Sequence, residues 1–170
     1  MSEKTAGIKF ICRESLKVIA MILMTLDHAY MTVVSVPGFE WMTMLGRIAF
    51  PLFAFMIVEG YTHTSDKKKY LLNMLIFACI SEIPYNIMMG GELLGPFHQN
   101  VMFSFLISLL LLMLLDKIYE GKKILVKCIL TALVCILGVV AGTLTFVDFS
   151  GFGVLTVLIF YIAYKMPNKI

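Results

Sequence analysis

Charge is scarce in this sequence. Asp, Glu, Lys and Arg make up 15% of its 170 residues, where a soluble domain carries about 25%. Five prolines, four cysteines and a single tryptophan complete the list of what is rare. So little charge, beside the apolar content below, excludes a disordered chain, a coiled coil and an ordinary cytosolic enzyme. The cysteines, Cys12, Cys79, Cys128 and Cys135, form no CxxC pair, and three of them lie within apolar runs. That pattern excludes a disulfide scaffold and a cysteine metal site, and it predicts small buried hydrophobes. A net charge of +3 is too mild to argue for nucleic acid. A cleavable signal peptide is not expected either. The first apolar run is too long, contains Asp27, and is followed by no small-residue cleavage site.

Apolar residues are abundant. They make up 60% of the chain, against roughly 45–50% in a globular protein even when glycine is counted. One soluble core of this length could not hide so much apolar surface. The expectation is a single all-α, polytopic membrane domain. A bilayer core needs about 20 apolar residues per helix. Six stretches approach that length: about residues 16–36, 42–61, 70–89, 101–115, 124–146 and 149–164. The segment GGELLGPFHQ, residues 90–99, is the longest break and reads as a loop.

The basic residues orient these spans. Lys4, Lys9, Arg13 and Lys17 precede the first. Lys67, Lys68 and Lys69 separate the second and third. Lys117, Lys122, Lys123 and Lys127 separate the fourth and fifth, and Lys165 and Lys169 follow the sixth. Every basic residue except Arg47 therefore falls on one face of a six-span arrangement. The opposite face has Glu40, Glu92, His98 and Asp148. The positive-inside rule then places both termini in the cytoplasm, and the expected location is the bacterial inner membrane.

Several ionisable residues are misplaced for a membrane. Asp27 and His28 fall near the middle of the first span, Arg47 about one turn inside the second, and Glu82 just past the middle of the third. A charge at mid-membrane costs at least ~2.5–3.5 kcal/mol on insertion scales. Asp27, Arg47 and Glu82 should therefore turn inward and find partners, with Arg47 pairing with Asp27 or Glu82. Asp27 and His28 point about 100° apart and do not face each other. The group reads either as an inert ion network holding three helices together or as a polar site. The histidine, the usual proton carrier near neutral pH, favours the site. Glu59 and His63 read first as a solvated interfacial pair. Asn86, Asn100 and Asp148 are further polar candidates. Pro51 and Pro84 each remove a helical hydrogen bond, which either opens a cavity or only shapes packing. The run from Gly138 to Gly142 is a small-xxx-small pattern suited to helix packing.

Particular segments carry a resemblance. GRIAFPLFAFMIVEGYTHT (residues 46–64), LKVIAMILMTLDH (16–28), KKYLLNMLIFACISEIPYNIM (68–88), QNVMFSFLISLLLLMLLDK (99–117) and DFSGFGVLTVLIFY (148–161) resemble, in the same order, the TraX family of membrane proteins. The family takes its name from the F-pilin acetylation protein of conjugative plasmids. The resemblance implies an acyltransferase that uses acetyl-CoA to acetylate an amine or hydroxyl on a peptide or cell-surface acceptor. TraX-like proteins are also similar to the wider group of multi-span acyltransferases that modify sugars across membranes. There an intramembrane histidine is associated with catalysis, and His28 is the matching position. On this reading His28 is the general base, and Arg47 holds the pocket carboxylates or steadies an oxyanion. Asp27 and Glu82 position and charge-balance these groups, and either carboxylate could be the base instead. Lys67, Lys68 and Lys69, or Lys122 and Lys123, would meet the phosphates of the donor, unless they serve topology alone. Family members continue past the sixth span with further helices and a YNGERG-like motif. This sequence ends at Ile170, before either, and so reads as a short member or a fragment.

Two other classes remain at this stage. Buried Asp, Glu, His and Arg also build proton relays in transporters, although no inverted repeat is visible. Six short spans would then need a homo-oligomer to make a path. The third class is a non-catalytic membrane scaffold.

Overall fold

In the computed structural model, residues 2–34, 36–91, 93, 98–121 and 123–165 are described, with side chains from Glu14 onward. Glu92, Lys122 and Lys169, and the side chains of Lys4, Lys9, Cys12 and Arg13, lie outside the described residues. The chain folds into α1 (Ser2–Ala29), a π-helical turn (Tyr30–Val34), α2 (Trp41–Gly46), α3 (Ala49–His63), α4 (Lys67–Gly90), α5 (Val101–Tyr119), α6 (Ile124–Leu144) and α7 (Ser150–Lys165). Among the described residues, five spans are long and apolar enough to cross a bilayer: Glu14–Val34, Trp41–His63, Lys67–Gly90, Val101–Tyr119 and Ile124–Leu144. α7 is a shorter apolar helix of 16 residues. The protein is thus an all-α polytopic membrane protein.

The second span differs from expectation. It is not one helix but two, α2 and α3, joined by a turn at Arg47 and Ile48. Pro51 explains the joint. It has no N–H to give to the carbonyl four residues back, which is that of Arg47, and its ring crowds the same carbonyl. The Ile48 N–H instead reaches the Leu45 carbonyl at 3.0 Å, a tighter turn. Pro84 has no such effect, and α4 runs unbroken through it.

The structure divides into two compact units, one up to Met56 and one from Ile57 onward. In the first, α1 packs against α2. Val18, Ile19, Met21 and Ile22 lie largely exposed along α1, as suits side chains whose solvent is lipid.

In the second unit α5 is central, touching α4, α6 and α7. Phe105, Leu109, Leu112 and Leu115 are buried along it, together with Ser104 and Ser108. Both serines bond backbone carbonyls: Ser108 that of Ser104 and Ser104 that of Asp148, each at 2.7 Å. α6 and α7 meet at a glycine seam. A Cβ on Gly142 would lie 2.9 Å from the Gly151 Cα, and one on Gly151 would lie 2.3 Å from the Val139 carbonyl oxygen. Lipid gives helices no hydrophobic reason to associate, so this close backbone approach supplies the packing instead. The small-xxx-small run therefore serves packing, as its pattern suggests. Cys79 and Cys128 are exposed and Cys135 is half-buried. The expectation that they are buried is corrected for Cys79 and Cys128: an apolar run in a membrane helix need not face the protein interior.

Candidate functional site

In the first unit, polar groups gather where α1 ends. The Nδ1 of His28 donates to the Met24 carbonyl at 2.7 Å, one turn back along α1. That contact assigns the proton of a neutral ring to Nδ1 and leaves Nε2 as the acceptor nitrogen. The α-helix gives way to the π-helical turn immediately afterwards, at Tyr30. Such turns recur at functional sites. Thr32 donates its hydroxyl to the His28 carbonyl at 2.7 Å.

Asp27 is half-buried, and its Oδ1 is fully buried with no hydrogen-bond partner among the described residues. The residue facing it is Gly46, where a Cβ would lie 2.3 Å from the Asp27 Cβ. This contact corrects the expected pairing of Arg47 with Asp27. Arg47 follows Gly46 and points about 100° away around the helix, and among the described residues it forms no ion pair. Its side chain lines an open pocket of about 510 Å³ with Tyr30, Glu40, Thr43 and Met44. The Thr43 hydroxyl is buried and without a partner among the described residues. The Glu40 carboxylate accepts the Gly38 N–H at 3.0 Å.

Glu82 finds its partner within the second unit. Its Oε2 accepts from the Asn100 side-chain amide at 2.6 Å and from the Asn100 backbone N–H at 3.1 Å. Asn100 also caps α5 through Met102 and reaches the Ala78 carbonyl. Asn100 thus ties α4 to the start of α5. Gln99 pairs with the segment around Val147, and Asp148 lies beside it through its backbone N–H. Asn86, one turn beyond Glu82, is buried with its side-chain nitrogen unpartnered. The structure thus brings Glu82 and Asn100 together.

The opposite, lysine-rich end of this unit holds a cluster that sequence reading missed. Asp116 accepts hydrogen bonds from the hydroxyls of Tyr61 and Tyr161 and from the Lys67 ammonium. Lys165 forms a further ion pair with it at 3.4 Å. Each lysine also lies over a tyrosine ring, Lys67 at 4.7 Å from Tyr61 and Lys165 at 5.4 Å from Tyr161. Both tyrosines are fully buried and meet edge to face at 5.9 Å. The ends of α3, α5 and α7 and the start of α4 converge on one carboxylate. With three hydrogen bonds and a second lysine on one carboxylate, this is a clamp rather than a reactive centre. Lys67 is therefore committed to Asp116, whereas Lys68, Lys69 and Lys123 are exposed. The signal was present in the sequence: Tyr61, Asp116 and Tyr161 stand at the lysine-rich ends of alternate spans, hence in one layer.

Glu59 and His63 lie close to this end. His63 Nδ1 contacts the Glu59 backbone carbonyl at 2.8 Å, so the contact recorded between them runs through the main chain.

The TraX protein family profile matches residues 12–170. Among curated proteins, the "Probable fimbrial assembly protein FimC, serogroup H1" of Dichelobacter nodosus is 35% identical over 108 residues, covering 58% of this chain and 44% of the relative. The chain thus spans less than half the length of that relative. No solved structure matches it.

Proposed function

The chain belongs to the TraX protein family, and from that premise we propose that it is an integral-membrane acyltransferase, using acetyl-CoA to acetylate an amine or hydroxyl on a peptide or cell-surface acceptor. The fimbrial role named for the relative supports a pilin-type peptide as that acceptor. The proposed setting is the bacterial inner membrane with the lysine-rich ends in the cytoplasm.

The observation that carries the reading is the state of His28. Its Nδ1–H is spent on the Met24 carbonyl, so Nε2 is available as a base. The acceptor nitrogen or oxygen attacks the thioester carbonyl while Nε2 takes its proton. Collapse of the tetrahedral intermediate expels the CoA thiolate, which recovers that proton as a thiol. The imidazolium formed in between would draw on the charge of Asp27 on the neighbouring helix face, whose buried Oδ1 has no hydrogen-bond partner among the described residues. Exposed Lys68, Lys69 and Lys123 are the residues proposed for the donor's phosphates. Arg47 is left to meet an anionic group in its own pocket.

The test uses the purified full chain and a labelled acetyl donor. General-base assistance is worth ~10²–10⁴-fold, so His28→Ala should cut transfer by about that factor with an unchanged melting temperature. His98→Ala should cost far less. Full turnover by His28→Ala would hand the role of base to a carboxylate. A broken second span is also a transporter device. Proton-coupled uptake in proteoliposomes, without thioester cleavage, would favour that reading.

A further inference from the structure

The pocket of the first unit has an unusual charge arrangement. Arg47 and Glu40 both line it, yet they do not pair. The spacing Glu40, Thr43, Met44, Arg47 is i, i+3, i+4, i+7, which places all four on one helical face. Seven residues at 1.5 Å per residue set the two backbone positions about 10 Å apart along the axis, and among the described residues no ion pair joins the side chains. Thr43 lies between them in sequence and lines the same pocket. A volume of about 510 Å³ suits a small polar group. Such a site asks for a ligand with an anion at one end and a hydrogen-bonding cation at the other.

The depth of the two charges selects the ligand. Glu40 precedes the apolar run of the second span, and Arg47 lies inside it. A phospholipid in that leaflet carries its ammonium outside its phosphate, in the same order. The guanidinium fork matches phosphate oxygens in a bidentate manner. The Glu40 carboxylate, oriented by the Gly38 N–H, can accept from a primary ammonium but not from a quaternary one. Trp41, half-exposed beside Glu40, is a typical residue of the headgroup level.

We propose that this pocket binds the phosphoethanolamine headgroup of a membrane lipid, phosphate on Arg47 and ammonium on Glu40. The inference takes its orientation from the proposed function but needs no acyl transfer, so a failure here and a failure there are separately visible.

Trp41 is the only tryptophan, and its place next to Glu40 makes its fluorescence a probe of binding nearby. The purified full chain in detergent is titrated with short-chain phosphatidylethanolamine, phosphatidylcholine and phosphatidylglycerol, and with water-soluble phosphoethanolamine. The ethanolamine lipid should bind about tenfold tighter than the other two, the loss expected for one charge-assisted contact. Glu40→Gln should abolish that preference, and Arg47→Gln should weaken all three lipids. Equal affinity for the three lipids overturns the proposal, as does unchanged binding by Arg47→Gln. Equal binding of soluble phosphoethanolamine overturns the lipid as its source. Should Arg47→Gln not fold, Glu40→Gln decides alone, because position 40 is exposed; a retained preference then rejects the site.

Discussion

At Gly46 two helices come closer than any other residue would allow. The Cβ of an alanine there would overlap the Asp27 Cβ. Gly→Ala inside a helix normally stabilises by about 1 kcal/mol, whereas overpacking costs about 1–3 kcal/mol. The overlap involves atoms fixed to the backbone, so the steric cost should win. Gly46→Ala is expected to lower the melting temperature, and Asp27→Gly, which removes the opposing Cβ, should restore part of it. Additive losses in the double variant would refute the contact. Asp116 makes the second case at this scale. Asp116→Asn leaves Lys67 and Lys165 without a counter-charge and weakens two tyrosine hydrogen bonds. The lysines are partly exposed, so the loss should be about 2 kcal/mol rather than that of a dry pair, read as a lower melting temperature. A variant that melts like wild type would mean the cluster clamps nothing. Asp27, His28 and Arg47 were legible in the sequence because ionisable groups stand out against an apolar background. Asp116 is legible only through its shared layer with Tyr61 and Tyr161, because taken alone it lies beside the basic end of its span and reads there as ordinary solvated charge. The orientation of Arg47 was equally hidden, since spacing gives a direction around a helix but not which neighbour faces it.

Among the helices, hydropathy marked the five long apolar ones to within a few residues, because the requirement for about 20 apolar residues is set by the bilayer and not by tertiary context; the sixth expected span is a helix of 16 residues. The division of the second span into α2 and α3 was only half legible. Pro51 announces a missing hydrogen bond, but its consequence falls four residues earlier, on the carbonyl of Arg47. Pro51→Ala supplies the missing N–H and should let α2 run into α3. Amide hydrogen exchange across residues 45–51 is then expected to slow by at least about tenfold, the equivalent of one recovered hydrogen bond of about 1–1.5 kcal/mol. Unchanged exchange would show that the turn at Arg47 and Ile48 has another cause.

For the whole molecule the sequence predicts sidedness through its lysines. In a chain freed of its native cysteines, Glu40→Cys should react in intact cells with a membrane-impermeant maleimide, and Ser65→Cys only after permeabilisation. The reverse pattern would invert the topology. What the sequence does not convey is the partition into two compact units, since apolar runs look alike whether they face lipid or one another. The Asp116 clamp adds a matter of timing. Tyr161 lies 45 positions after Asp116, and a ribosome adding ~5–20 residues per second takes roughly 2–9 s to cover that distance. During that interval Asp116 can draw on Tyr61 and Lys67 but not on α7. The nascent chain therefore holds this carboxylate with two of its four partners, Tyr161 and Lys165 still missing, until α7 arrives.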